Sequence, residues 1–574
     1  MTESNIHPAA GDVPVLSDNA VKVLQSRYLI KDAQGGCIET PAQLFYRVAS
    51  LIAEAEAKYG ASRNEIEQWR KEYYGLMASL RFLPNSPALM NAGRRGMLSA
   101  CFVLPVEDSI EGIFEAIKQT ALIQQAGGGT GFSFDRLRPT GDRVASSGGT
   151  TSGPISFWRV FSETTNAIQQ GAFRRGANMG MMSVEHPDIL KFLYAKQNLE
   201  AFTNFNISVK ITESWMKKVL KSGKTLHIVK NPRTGKRYLL PRRIDIANYT
   251  ISDLRALSGR SKPVSKGAGS FYTVSDVWKM IIKCAHKTGE PGVAFIDRIN
   301  RDNPTPSLGS IEATNPCGEQ PLLPYEACTL GSINVSKFVS VAETDAVMDW
   351  PALAQTVKLA VRFLDNIIDV CDYPVRESIR LAQGNRKIGL GIMGFADCLF
   401  TLGIPYDSKR GIEFGADLMK FVNDKAHEAS AELAGLRGPF PNFNSSIWQT
   451  GKDRAIRNAS ITCIAPTGTI SIIADCSSGI EPVYSLVFLR QVLEGLKLLQ
   501  IDPVFKRMAE KRGIYSKKLE KQIARTGSIQ KITSIPADMR RIFRGAYDIK
   551  PQWHIRMQAA FQQHCDAAVS KTIN

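Results

Sequence analysis

The chain has 574 residues, is 44% hydrophobic and 22% charged, and so has the composition of a folded protein of several domain-sized units. Its polar start, MTESNIHPAAGDVPV, and the lack of any apolar run near 18 residues exclude a secretory leader and a membrane helix, leaving a cytoplasmic expectation with no membrane partner. The net charge is +18, and the ten cysteines form no CxxC pair and no Cys/His cluster at metal spacing, which excludes a zinc ribbon and predicts no metal ligands.

In chain order, residues 1–82 predict an N-terminal helical region. VKVLQSRYL, TPAQLFYRVASLIAEAEAKYG and NEIEQWRKEYYGLMASL have helical periodicity, and Thr40 before Pro41 predicts an N-cap followed by Pro at N1. Residues 83–490 alternate short apolar runs with helical stretches, from SACFVLPV to ASITCIAPTGTISIIA, which predicts an α/β region with a parallel-type sheet. Within it, residues 217–266 hold 14 Lys/Arg against 2 Asp/Glu, a basic hairpin-and-helix insertion carrying +12 of the net charge. Charge concentrated in one insertion predicts a solvated face or an attractor of polyphosphates or of an acidic partner, and no nucleic-acid partner. Residues 491–574 read as a basic, mostly helical region.

Several stretches carry chemistry. NPCGEQPLLPYEAC at 315–328 places an amide, a thiol and a carboxylate at alternate positions. If the segment is extended, Asn315, Cys317 and Glu319 share a face and form a reaction centre, with Gly318 leaving room for a ligand. A surface turn with incidental polar residues is the competing reading. TLGSINVSKF after Cys328 reads as a polar turn and then a strand. In ITCIAPTGTISIIA, two β-type runs flank Pro466–Thr469, a turn suited to an anion such as phosphate. GGGTGFSFDRLRP at 127–139 is a tight turn or a ligand loop that fits no nucleotide fingerprint. SSGGTTSGP and FRRGANMG are two flexible loops flanking one helix, the second with Arg174 and Arg175 able to meet phosphate.

Taken together and in this order, LPNSPALMNAG, SACFVLP, GGGTGFSF, RRGANMG, NPCGE…C and APTGTIS resemble the catalytic chain of the ribonucleotide reductases, most closely the class II type that depends on adenosylcobalamin. The resemblance implies a ten-stranded α/β barrel of two five-stranded parallel halves, with flanking helical regions and a central finger loop. It implies reduction of ribonucleotides to 2′-deoxyribonucleotides by a thiyl radical, with a diphosphate substrate expected and a triphosphate possible. Cys317 would carry the radical, Glu319 would act as base at the 3′-hydroxyl, and Asn315 would hydrogen-bond there. Cys101 and Cys328 would supply two electrons and become a disulfide. Ser86, Ser99, Ala100 and Gly129 would lie near the nucleotide, and Pro466, Thr467, Gly468, Thr469 and Ile470 would hold its phosphates. Ser146, Ser147, Gly148, Gly149, Arg174 and Arg175 would read a deoxynucleotide or ATP effector. A homodimer and a thioredoxin-type reductant are the expected partners. The sequence stops at AVSKTIN, where class II relatives continue to a last strand and a CxxC thiol shuttle, so a fragment or a second polypeptide completing the barrel is a further expectation. The alternative is a class I catalytic subunit served by a separate radical-generating subunit.

Overall fold

The structure, a computed structural model, describes residues 13–94, 96–145, 147–168, 176–257, 268–341, 346–450, 455–492 and 496–574. The chain divides into two compact units. One is Cys101–Ala327 with Pro374–Ser378, and the other is Met1–Ala100, Cys328–Tyr373 and Ile379–Asn574.

In the first unit, five strands run parallel in the order Cys101–Leu104, Gly129–Ser133, Asn178–Ser183, Phe205–Ile211 and Gly292–Phe295. This is the five-stranded parallel half that the resemblance implies. The Cys101–Leu104 strand is buried along its length, as expected of a parallel strand covered on both faces. Connecting helices begin at sequence-coded caps: Ser109 accepts the Gly112 N–H at the start of Ile110–Gln125, and Pro154 sits at the first turn of Pro154–Ala167. Trp158 stacks on Phe202 at 3.9 Å between ring centroids, and Phe132 packs on Phe161 at 4.7 Å, so aromatic rings fill the space behind the sheet.

The basic insertion in this unit is the Glu213–Lys221 helix and a small antiparallel sheet of Ile228–Lys230, Arg237–Leu239 and Arg255–Ala256. Some of its cations are paired. Arg233 meets Asp142 at 2.8 Å and Arg242 meets Asp276 at 2.5 Å. Asn231 also donates to Asp142, fastening the insertion to the loop before Pro154.

In the second unit, the Asp18–Arg27, Pro41–Glu54 and Arg63–Ala78 helices share a core with the long Trp350–Val370 and Lys409–Arg437 helices. Thr40 and Gln43 form the capping box expected at Pro41. The Ala327–Asn334 strand pairs antiparallel with Phe82–Pro84 and parallel with Ile388–Met393. Parallel bridges join Leu390 to Thr462 and Ile464 to Val569. The polar start of TLGSINVSKF, expected as a turn before a strand, is therefore itself buried strand. Its polar side chains find partners: Thr329 bonds Ser99, and Asn334 donates to the Ala474 carbonyl. Similarly, the apolar run after Pro466–Thr469 is not a strand. Ile470–Ile473 is a short helix, because Thr467 takes a left-handed φ of 53° and its carbonyl accepts the Ser471 N–H. The region after residue 486 opens with a Val487–Val492/Leu496–Ile501 hairpin and continues as helices to Pro551–Gln562.

A buried charge cluster sits in this unit's core. Asp365 accepts from Arg386 (2.8 Å), Arg437 (3.1 Å), Arg457 (3.4 Å) and Asn458 (3.0 Å). Glu56 accepts from Arg362, Arg437 and Asn366. Four guanidinium groups surround two carboxylates, so each buried negative charge has positive partners beside it.

Candidate active site

NPCGEQ forms the tip of a small hairpin whose legs are Ala313–Thr314 and Pro321–Leu322. The Gly318 N–H donates to the Asn315 carbonyl (3.1 Å), and the Asn315 N–H donates to the Gln320 carbonyl (3.1 Å). Asn, Pro and Gly occupy the first, second and fourth places of a β-turn, and Gly318 takes φ 83°. The segment is thus a turn and not the extended run that alternation suggested. Turn chemistry outweighs the polar spacing. The outcome for the side chains also differs: Asn315 and Glu319 are buried, each 2% exposed, while Cys317 is exposed at the tip.

Asn315 uses both ends of its amide. Oδ1 accepts the Gln320 N–H (2.9 Å), and Nδ2 donates to Cys101 Sγ (3.1 Å). Cys101 opens the first strand of the parallel half and is 4% exposed. This hairpin, which matches the finger loop that the resemblance implies, lies on the sheet because the GGGTG stretch lacks side chains at two places. A Cβ at Gly131 would stand 1.8 Å from the Thr314 carbonyl oxygen, and one at Gly129 would stand 2.9 Å from Pro316 Cγ. Asn206 Nδ2 donates to the Pro316 carbonyl (2.7 Å). At the finger's base, buried Lys210 reaches Ser133 Oγ (2.7 Å), the Glu312 carbonyl (2.9 Å) and Asp135 (2.6 Å). Sequence reading missed Lys210 and Asn206, since their partners lie about a hundred positions away in the chain.

The other unit holds Cys328, which is buried, and a polar group around Ser99. Ala100, the residue before Cys101 in sequence, donates its N–H to the Cys328 carbonyl (3.2 Å). Ser99 Oγ bonds Thr329 Oγ1 (3.0 Å) and donates to Tyr373 Oη (3.3 Å). Cys371 Sγ accepts the Leu98 N–H at 3.3 Å. Burial raises the Cys371 thiol's pKa against the hydrogen bonds from Leu98 and Ser99 that lower it. Nothing in the sequence distinguishes Cys371 from the structural thiols. In the Pro466–Thr469 turn, the buried Thr467 hydroxyl accepts the Gly479 N–H (2.7 Å), which holds the following loop against the turn and leaves Gly468 at the surface. Ser86 bonds the Tyr28 hydroxyl at 2.8 Å.

Of the effector residues, Ser146, Arg174 and Arg175 lie outside the described residues. Ser147, Gly148 and Gly149 form an exposed tight turn, with the Gly148 N–H on the Val144 carbonyl (2.9 Å) and the Val144 N–H on the Gly149 carbonyl (2.8 Å). Among the described residues no group of three or more His, Cys, Asp or Glu side chains could hold a metal ion, and no helix is long and apolar enough to cross a membrane.

Comparison with known proteins agrees with this geometry. Residues 99–574 match the family model for the ribonucleotide reductase barrel domain, and residues 15–96 match that for the ribonucleotide reductase all-alpha domain. The chain is 44% identical to a vitamin B12-dependent ribonucleoside-diphosphate reductase of Thermoplasma acidophilum, over 97% of this chain and 75% of that protein. It is 44% identical to the protein of the same description in Mycobacterium tuberculosis, again over 97% and 75%. A ribonucleoside-diphosphate reductase large chain of Neurospora crassa is 28% identical over 96% of this chain and 61% of that protein. Among solved structures, the Actinobacillus ureae class Id ribonucleotide reductase alpha subunit shares the fold with a TM-score of 0.72, at 21% identity, over 96% of this chain and 90% of that chain.

Proposed function

The chain belongs to the ribonucleotide reductase family, and we propose that it reduces ribonucleoside diphosphates to 2′-deoxyribonucleotides, using adenosylcobalamin to start the radical. The observation that carries this reading is the finger itself: an exposed thiol between two buried polar side chains, one of them bonded to a second cysteine. The 44% relatives support the cobalamin-dependent type over a class I subunit.

The residues present fit that cofactor where the structure tests it. Cys317 is exposed, and the Cβ position of Gly318 meets no atom within 4 Å, so a bulky group can approach the sulfur. The corrin ring holds cobalt through its own nitrogens, so a cluster of protein ligands is not required. When bound, adenosylcobalamin supplies the one-electron chemistry that converts a thiol to a thiyl radical.

The chain's own residues do the rest. The Cys317 sulfur takes the hydrogen atom from C3′ of the ribose, which makes loss of the 2′-hydroxyl feasible. Glu319, buried two residues further along the turn, takes the 3′-hydroxyl proton, and Asn315 hydrogen-bonds there. The 2′-hydroxyl leaves as water with a proton from the cysteine pair. Cys101 and Cys328 contribute two electrons and close to a disulfide. Cys317 then returns its hydrogen to C3′ and regains the radical. Overall, one ribonucleotide and one dithiol give one deoxyribonucleotide, one disulfide and water. The Pro466–Ile470 turn takes the phosphates, with Ser86, Ser99, Ala100 and Gly129 near the nucleotide.

A thioredoxin-type dithiol resets the pair, which calls for a reducing compartment and so for the cytoplasm. Deoxynucleotide effectors at residues 146–149 and 174–175 of a homodimer set the substrate preference. The test is deoxynucleotide formation from each diphosphate with dithiothreitol, with and without adenosylcobalamin. Product that requires the cofactor is expected. Product formed equally without it overturns the cobalamin reading.

A further inference from the structure

A run of buried amides and hydroxyls lies behind the strand that carries Gly129 and Gly131. Gln124, at the end of the Ile110–Gln125 helix, is fully buried. Its Nε2 donates to Asn178 Oδ1 (2.8 Å) and Thr130 Oγ1 (3.4 Å), and Thr130 Oγ1 donates to the same Asn178 Oδ1 (2.6 Å). Asn178 Nδ2 donates to Thr165 Oγ1 (3.0 Å) and to the Asn204 carbonyl (3.3 Å). A carbonyl can only accept, so Asn204 fixes Asn178 with its nitrogen towards residue 204 and its oxygen towards Gln124. That in turn fixes Gln124 with Nε2 inward. Polarity runs one way through the network and leaves Gln124 Oε1 at its far end, buried and without a hydrogen-bond donor among the described residues.

This oxygen faces Gly176. A Cβ there would stand 2.9 Å from Gln124 Oε1 and 2.3 Å from Thr165 Cγ2. In sequence, Gly176 directly follows Arg174 and Arg175. The next residue, Ala177, accepts the Thr130 N–H (3.2 Å). On either side of Thr130, Gly129 and Gly131 lie against Pro316 and Thr314 of the finger. A contiguous set of bonded and packed residues therefore joins Gly176 to the finger, with Gln124 at the junction. A buried carbonyl without a donor is unfavourable, and such a group calls for a specific explanation.

We propose that Gln124 is a specificity-determining positioning residue: a backbone N–H at Gly176 takes up its Oε1 when a deoxynucleotide effector is bound, and Asn178 and Thr130 pass that change to the Gly129–Ser133 strand under the finger. The proposal rests on the effector reading given above.

Equilibrium binding of the four ribonucleoside diphosphates, with and without each deoxynucleoside triphosphate, tests it on the full chain without need of turnover. In the wild type, effectors should change the ratio of substrate affinities by about fivefold or more. Gln124→Met keeps the length and the apolar stem but offers neither donor nor acceptor of comparable strength. In Gln124→Met the effector-driven change should fall within about twofold of unity, while effector-free affinities stay within about twofold of wild type. Thr130→Val keeps the β-branched shape, removes the hydroxyl that bonds Asn178, and should reduce the same coupling. It serves as the test if Gln124→Met does not fold. Wild-type coupling in both variants overturns the proposal. So does an equal loss of affinity with and without effector, the mark of a packing defect. Absence of effector dependence in the wild type overturns the effector reading and the proposal with it.

Discussion

Asn315 Nδ2 donates to Cys101 Sγ at 3.1 Å across 214 positions of sequence, while its Oδ1 accepts the Gln320 N–H that closes the finger. One amide therefore orients a thiol and holds the turn. Asn315→Asp keeps the shape and the acceptor but turns a carboxylate oxygen towards the sulfur. Turnover should fall about 100-fold, in the range of a lost proton-handling or orienting group. Initial rates of deoxynucleotide formation check this. A rate within a factor of two of wild type would show that the contact is incidental.

The close approach of the finger to its sheet gives a second prediction. A Cβ at Gly131 would stand 1.8 Å from the Thr314 carbonyl oxygen, a backbone atom that cannot swing aside. Gly131→Ala should cost about 1–3 kcal/mol of stability through overpacking and should lose most activity, because the finger must shift. Urea unfolding and turnover, measured on the same preparation, test both parts. Full activity at unchanged stability would contradict the packing account.

The three candidate cysteines should separate by assay. Cys317→Ala should give no product even in a first turnover, since no other thiol occupies the finger tip. Cys101→Ser and Cys328→Ser should block sustained reduction while still consuming some substrate in breakdown. Single-turnover product and released base, measured together, distinguish the two patterns. Equal retention of activity in all three variants would refute the assignment.

The charge cluster predicts acid sensitivity. Burial alone would raise the Glu56 pKa. Hydrogen bonds from Arg362 and Asn366, and the charge of Arg437, bring it down to about 2 instead. Burial likewise works against Asp365, but Arg386, Arg457 and Arg437 hold its carboxyl below the ordinary value. A depressed folded-state pKa means stability that is complete above the unfolded value and is lost as pH falls through the folded one. From an ordinary value of 4.5 to about 2, Glu56 contributes about 3 kcal/mol, lost progressively below pH 4.5. Denaturant unfolding at pH 6, 4 and 3 should show that loss, and Glu56→Gln should flatten it while lowering stability at pH 6 by about 3–5 kcal/mol. An unchanged pH profile in the variant would rule Glu56 out as the source.

The NPCGEQ stretch shows where sequence reasoning succeeds and where it stops. The identity of its three chemical groups is plain in the letters, and so is the turn code of Asn, Pro and Gly. Alternation was the wrong period to apply, because a proline and a glycine two apart favour reversal of the chain over an extended run. TLGSIN misled in the opposite sense. Its polar residues look like a turn, but they lie in a buried strand, where Thr329 finds Ser99 and Asn334 finds the Ala474 carbonyl on distant segments.

Local chemistry was legible in the sequence: the Thr40 cap, the parallel half-sheet in its run of short apolar segments, the amide, thiol and carboxylate at 315–319, and the order of motifs that marks the family. Relations between remote segments were decided only by the tertiary structure. Asn315 on Cys101, the Thr314 carbonyl on Gly131, three arginines around Asp365 and the one-way polarity ending at Gln124 Oε1 are of this kind. The reason is physical. Caps, turns and periodicity depend on neighbours a few residues apart, whereas these contacts depend on the path of the folded chain, which no spacing along the sequence encodes.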